Sequence, residues 1–309
     1  MPQVDATGNP NALLHSHLFA VAMADSVFTY DAASWCVTQE MKDAYDTNGF
    51  ILVRNAFSPE EMRKVRAFVE GSDAIQERAY SRDDGKNRRS RVTLWNHPGR
   101  DVLGVLARTQ RVAGTMEQVM GGQEVYHYHS KLIMKDARTG GRHVWHQDYG
   151  YWYKNGCLYP DMGSVFIPID DCTRENGCLQ VLKGSHRLGR FDHVRIGEQL
   201  GAEPERVEKA KEQLEHLHLE MSAGDTLFFH SNLLHTSDQN ASDLRRWVFI
   251  VAFNRRSNNP YKEHHHPRYT PMAKVPDSAL LECGEGSDDS NDQWFIKLDD
   301  DISIRERVH

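Results

Sequence analysis

The chain has 309 residues, 39% of them hydrophobic and 26% charged, and a formal net charge of −7. It is long enough for one large domain with its own core, and no linker rich in Pro, Gly or Ser divides it; the acidic balance gives no footprint for nucleic acid, which the short basic run Lys86-Asn87-Arg88-Arg89-Ser90-Arg91 does not change. The five cysteines, an odd number without a C-x-x-C pair, argue against a disulfide framework or a metal–thiolate site and point to reduced thiols in a cytoplasmic setting.

In chain order, Leu13 to Val27 is mildly apolar, but histidines and Asp25 interrupt it and no basic region precedes it, so it reads neither as a signal peptide nor as a membrane span. Residues 1–40 are expected to be an N-terminal extension, 41–275 the main domain and 276–309 an acidic tail. A strand is expected over Gly49 to Arg54. Ser58-Pro59-Glu60-Glu61 then supplies an N-cap, a proline at the first helical position and early acids, which predicts a helix to about Gly71. Val102, Leu103, Leu106, Val112, Met116, Val119 and Met120 keep a helical rhythm up to the stop at Gly121-Gly122. Strands are predicted over Val125 to Met134, Val144 to Asp148, Ser164 to Ile169, Cys178 to Leu182, Thr226 to Phe229 and Trp247 to Phe253, with a charged helix from Glu203 to His218 as a surface insertion. In the tail, Trp294-Phe295-Ile296 is the segment expected to dock. Many short strands without βαβ alternation predict a mainly β double-stranded β-helix, a cupin-like jelly roll with flanking α-helices.

The triplet His146-Gln147-Asp148 sets two metal-binding side chains two residues apart, on one face if the segment is a strand. A third ligand must come from a distant strand, and His235, closing the run Phe228-Phe229-His230-Ser231-Asn232-Leu233-Leu234-His235, is the candidate; His186 and His230 compete with it. Two imidazoles and one carboxylate on one face of an octahedral ion leave the other face open for a cosubstrate and dioxygen, as in non-haem iron(II) centres. The same three ligands also make a catalytic zinc site. Gly224-Asp225 reads as a tight turn ahead of the strand leading to His235, Ser237 follows two positions on, and Arg245-Arg246 opens the last strand. An arginine entering an apolar strand is costly to bury without an anion. That anion is either a bound dicarboxylate or a surface partner, Asp238 or Asp243.

The triplet, the segment Glu175-Asn176-Gly177-Cys178-Leu179-Gln180-Val181-Leu182-Lys183-Gly184-Ser185-His186, the Gly224-Asp225 turn and Arg246, eleven residues past His235, resemble the phytanoyl-CoA dioxygenase family of iron(II) and 2-oxoglutarate dependent oxygenases. The resemblance runs from about Met41 to Arg256, and the stretch from Val125 to Trp152 is similar to the ectoine hydroxylases. It implies that His146, Asp148 and His235 bind Fe(II), that Arg246 holds the distal carboxylate of the cosubstrate 2-oxoglutarate, with Ser237 hydrogen-bonded to it, and that Arg245 faces away. Dioxygen is then consumed and succinate and CO2 released as a C–H bond is hydroxylated. Two positions depart from the pattern: Lys183 stands where the family has Pro, and His129 where ectoine hydroxylases have Gln.

The substrate is expected to be a small polar molecule rather than a long acyl-CoA. Tyr149, Tyr151, Trp152 and Tyr153 follow the triplet directly and form either an aromatic enclosure for a cationic head or ordinary core. Asn232, His129, Lys131, Trp95 and Asn96 are further lining candidates, with Lys131 and His129 suited to the carboxylate or phosphonate of a zwitterion, such as an amino acid derivative, an ectoine-like compound or an aminophosphonate. Two other functions use the same fold or ligands: a catalytically silent metal-binding jelly roll, and a zinc hydrolase.

Overall fold

The computed structural model describes residues 26–197, 199–284, 286 and 294–297. The apolar stretch at 13–25 and most of the acidic tail lie outside them. In chain order the elements are β1 (Val27–Thr29), α1 (Gln39–Asn48), β2 (Phe50–Arg54), α2 (Pro59–Gly71), α3 (Asp73–Glu77), β3 (Tyr80–Asp83), β4 (Arg89–Trp95), α4 (Val102–Arg108), a π-helical turn at Gln110–Gly114, α5 (Thr115–Val119) and β5 (Val125–Lys135). Then come β6 (His143–His146), α6 (Asp148–Trp152), β7 (Met162–Pro168), β8 (Leu179–Leu182), β9 (His193–Ile196), β10 (Gln199–Ala202), α7 (Pro204–Lys211), β11 (His216–Leu219), β12 (Thr226–His230), β13 (His235–Ser237), β14 (Arg246–Arg255) and α8 (Ala279–Glu282).

The strands form a double-stranded β-helix. An eight-stranded sheet runs β1-β2-β12-β7-β14-β5-β4-β3, a four-stranded sheet runs β11-β8-β13-β6, and β9 and β10 make a separate hairpin. Strand alternation splits the apolar residues between two cores. Ile51, Val53, Leu132, Met134, Val165, Ile167, Phe249 and Val251 face the helical layer, packing with Met62, Val65, Leu103, Leu106 and Met116. Phe50, Leu52, Ile133, Phe166, Val248 and Ile250 face the other way, onto Leu179 and Val181 of the smaller sheet. The parity that buries Phe249 and Val251 under helices therefore turns Arg246, Val248 and Ile250 into the space between the sheets.

Local chemistry sets the element ends. Ser58 and Glu61 form a reciprocal capping box at the start of α2. Gly224, at φ +96°, makes the turn ahead of β12, and the Asp225 carboxylate closes it by accepting from the Ser222 and Asn55 amides.

Three expectations change. The helical rhythm from Val102 is broken into α4, a π-helical turn and α5. The charged helix stops at Lys211, because the alternating His216–Leu219 segment pairs with β8 as an edge strand. The strand through the triplet ends at His146, and Asp148 opens α6. The Trp294-Phe295-Ile296 segment does dock: Trp95 and Phe295 form a β-bridge, and the Ile296 amide donates to the Leu94 carbonyl at 2.8 Å. No helix among the described residues is long and apolar enough to cross a membrane.

Candidate active site

β6 and β13 are antiparallel neighbours in which His146 and His235 are direct Cα partners, so their rings lie 4.0 Å apart between centroids. His146 Nδ1 is 2.8 Å from the Val144 carbonyl and His235 Nδ1 2.9 Å from the Leu233 carbonyl. A carbonyl only accepts, so each Nδ1 carries the proton and each Nε2 keeps its lone pair for a metal. Burial lowers the pKa of both imidazoles, and His146 is lowered further by the facing His235, so both are held neutral, the form that ligates.

Asp148 reaches the same point from a helix rather than from the strand face. Gln147 makes the corner between the two: its Nε2 donates to the carbonyls of Gly189 and Asn232, both at 2.8 Å, its Oε1 accepts from the Phe191 amide at 2.6 Å, and its own amide donates to His193 Nε2 at 3.1 Å. Glycine is required at position 150, since a Cβ there would lie 1.9 Å from His193 Cε1. Asp148 Oδ2 accepts from Ser164 Oγ of β7 at 2.6 Å, while Oδ1 lies 4.0 Å from His146 Nε2. Ligand atoms of His146, Asp148 and His235 all fall within 4.8 Å of one another, the only such metal-holding group among the described residues. His186, bonded to the Asp46 carbonyl, and His230, packed on Tyr45 and His186, lie outside it.

Arg246 and Lys135 are Cα partners across β14 and β5, with 1% and 0% of their surfaces exposed. Lys135 Nζ donates to Ser237 Oγ at 2.8 Å and to the Asp238 carbonyl. Arg246 donates to the Gly177 carbonyl, but its Nε has no partner among the described residues. Neither candidate surface partner reaches Arg246: Asp243 pairs with Arg138, and the Asp238 carboxylate accepts from Gln180. Arg245 faces away, onto Asp170 and Glu70. Burial lowers the pKa of both inner cations, for Lys135 with Arg246 adding to the effect. An orphaned guanidinium nitrogen beside a second buried cation fits a bound carboxylate.

One cleft connects the two ends, lined by the triad, Arg246 and Ser237. His129, Lys131, Tyr151 and Trp152 also line it. Tyr149 does not: its hydroxyl donates to the carbonyls of Cys157 and Leu158 at 3.1 and 2.6 Å. Tyr153 is 49% exposed under the Arg190 guanidinium, and Asn232, whose backbone amide donates to His230 Nδ1 at 3.0 Å, is not in the cleft wall. Trp95 packs on Phe249 and Phe295 in the helix-side core, and Asn96 sits behind the wall, bonded to His266. Several lining residues escape the sequence reading: Arg82, His143, Asn155, Gln199, Thr236 and His266. Lys135, which is not in the cleft wall but bonds Ser237 there, escapes it too, although counting by twos from Lys131 places it on the inner face. His266 carries no local signal, since it stands in the run His264-His265-His266 outside any strand.

Residues 45–248 match the phytanoyl-CoA dioxygenase (PhyH) family. The chain belongs to that family. It is 30% identical over 257 residues to the L-proline trans-4-hydroxylase of Streptomyces griseoviridis, covering 77% of this chain and 93% of that protein. It is 28% identical to the ectoine dioxygenase of Bordetella parapertussis over 250 residues, 75% of this chain and 80% of that one. The fold is that of EctD from S. alaskensis, solved with 2-oxoglutarate and 5-hydroxyectoine, with a TM-score of 0.64, 20% identity and coverage of 79% and 91% of the two chains.

Proposed function

We propose that this phytanoyl-CoA dioxygenase family member is an Fe(II)- and 2-oxoglutarate-dependent dioxygenase that hydroxylates an unactivated C–H bond of a small polar zwitterion, releasing succinate and CO2. One observation carries this reading: a His-Asp-His metal cradle and a buried arginine without a carboxylate partner among the described residues share one cleft. His146, Asp148 and His235 would hold iron; Arg246 and Ser237, with Lys135 behind Ser237, would hold the far carboxylate of 2-oxoglutarate. Iron with 2-oxoglutarate and dioxygen supplies the oxidant. The chain's own residues bind, orient and exclude water. Ser164 fixes which Asp148 oxygen is available, the Nδ1 bonds fix both imidazole tautomers, and Phe166, Phe229 and Ile250 line the cleft with apolar surface.

Relatives named for proline and ectoine support a compact polar substrate. A purely cationic one has less support. Tyr149 and Tyr153 face away from the cleft, and Asp148 is the only acid among its described lining residues, against Arg82, Lys131 and Arg246. A zinc hydrolase would have no use for Arg246, and a silent jelly roll no use for either end. The free cysteines fit a reducing cytoplasm. The test is anaerobic addition of iron(II) and 2-oxoglutarate, expected to give their weak visible charge-transfer band, followed by oxygen and measurement of succinate. Asp148→Ala should abolish succinate release, while Arg246→Ala should chiefly raise the KM for 2-oxoglutarate. No band and no succinate, with zinc restoring an activity instead, would sink this reading.

A further inference from the structure

His143 reaches the cleft through an irregularity in its strand. Across β6 and β13 the Cα partners are His146 with His235 and His143 with Ser237, so Val144 and Trp145 together stand against the single Thr236. That is a β-bulge, pinned by the Thr236 hydroxyl, which donates to the His143 carbonyl. Positions three apart face opposite sides of a regular strand. Here His143 and His146 both line the cleft, while Val144 and Trp145 line a separate pocket behind the strand with Ala202 and Val207, and His143 stands at the edge between the two.

The His143 ring lies 6.5 Å from that of His146 between centroids, and its Nε2 is buried with no hydrogen-bond partner among the described residues. Such a nitrogen costs stability unless a ligand or water completes it. Its neighbour across the strands is Ser237, whose Oγ accepts from Lys135 Nζ at 2.8 Å and so keeps its own proton to give. Directly opposed side chains of antiparallel strands have Cβ atoms about 4.5–5.5 Å apart, which sets the imidazole beside that hydroxyl. A carboxylate offers about four acceptor sites, of which a guanidinium fork takes about two and a hydroxyl one. With Arg246 and Ser237 in place, one acceptor site is left over.

We infer that His143 is a further residue of the 2-oxoglutarate site, its Nε2–H donating to the same far carboxylate that Arg246 and Ser237 would hold. An anion selects the Nε2–H tautomer and leaves Nδ1 as the acceptor. The contact places the far carboxylate on the same four-residue strand as the metal ligand His146, so the bulge sets the spacing between the two ends of the cosubstrate. The inference rests on the oxygenase reading above and adds to its cosubstrate site a residue that strand parity alone would turn away from it.

The test is anaerobic titration of the full-length, iron(II)-loaded protein with 2-oxoglutarate and with 2-oxopentanoate, which keeps the keto acid end and carries a methyl in place of the far carboxylate. Binding is read from the charge-transfer band and from the rise in melting temperature. His143→Phe, which keeps a ring and loses the donor, should weaken 2-oxoglutarate binding roughly 10- to 100-fold and leave that of 2-oxopentanoate as in wild type. His143→Gln, whose amide nitrogen can stand where Nε2 stood, should restore most of the 2-oxoglutarate affinity, and iron(II) affinity without cosubstrate should be the same in both variants. If His143→Phe fails to fold, His143→Asn, which sets its amide nitrogen nearer the backbone, should show the same selective loss against His143→Gln. The inference is overturned if the Phe variant binds 2-oxoglutarate as wild type does, which would leave Nε2 to water, if both ligands weaken equally, or if Gln rescues nothing. Failure of the wild type to form the band at all would instead sink the oxygenase reading, and this inference with it.

Discussion

Arg246 and Lys135 face each other directly across β14 and β5, two buried cations at partnered positions with no carboxylate among the described residues paired to the guanidinium. Like charges opposite one another in a sheet destabilise it, and burial adds a desolvation cost. The chain retains both, which makes sense if an anion completes the pair. The Lys135 bond to Ser237 extends the same receptor by one hydroxyl.

Lys135→Met should therefore act on the cosubstrate rather than on the substrate. Loss of a charge-assisted hydrogen bond and its hold on Ser237 should raise the KM for 2-oxoglutarate roughly 10- to 100-fold and shrink the thermal stabilisation that 2-oxoglutarate gives the iron-loaded protein. An unchanged KM would remove Lys135 from the anion site.

Ser164→Ala tests how Asp148 is held. With the 2.6 Å bond to Oδ2 gone, the carboxylate is free to rotate, and iron(II) affinity should fall about 10- to 100-fold while the fold is preserved. Competition with a chelator reads this directly. Equal retention of iron by variant and wild type would show that Gln147 and the α6 backbone suffice.

Acid should destabilise the protein before its carboxylates titrate. Burial pushes His127 and His230 down to about 3, from an ordinary value of 6.5. Between those values the unfolded chain binds more protons than the folded one, so the stability is fully present above 6.5 and is lost as pH falls through the window. Each histidine contributes up to about 1.4 kcal/mol per pH unit there. Denaturant titrations from pH 7 to 5 should show the decline, and His127→Gln should reduce its slope; a flat profile would mean that these rings gain protons without unfolding.

The ligand types, the apolar strand behind Arg246 and the Gly224 turn were legible because each depends on residue identity and a short period. Parity along β14 is enough to send Arg245 to Asp170 and Arg246 inward. The aromatic run was not legible in the same way. Read as a group following a strand, Tyr149, Tyr151, Trp152 and Tyr153 are equivalent, but α6 and its C-cap residue Tyr153 spread them around a helix. Tyr149 and Tyr153, four apart, share a face turned from the cleft with their rings 5.9 Å apart, and only Tyr151 and Trp152 face in.

The sequence by itself determined the family and the jelly roll and picked out the residue types proposed for the two cofactor ends, since ligand spacing and strand alternation are local. Only the tertiary structure decided that Asp148 belongs to a helix, because the corner at Gln147 is held by residues 40 to 90 positions away. It alone brought His266 into the cleft wall beside His129, because the Asn96 that holds it lies 170 residues distant in the chain and no local period joins the two.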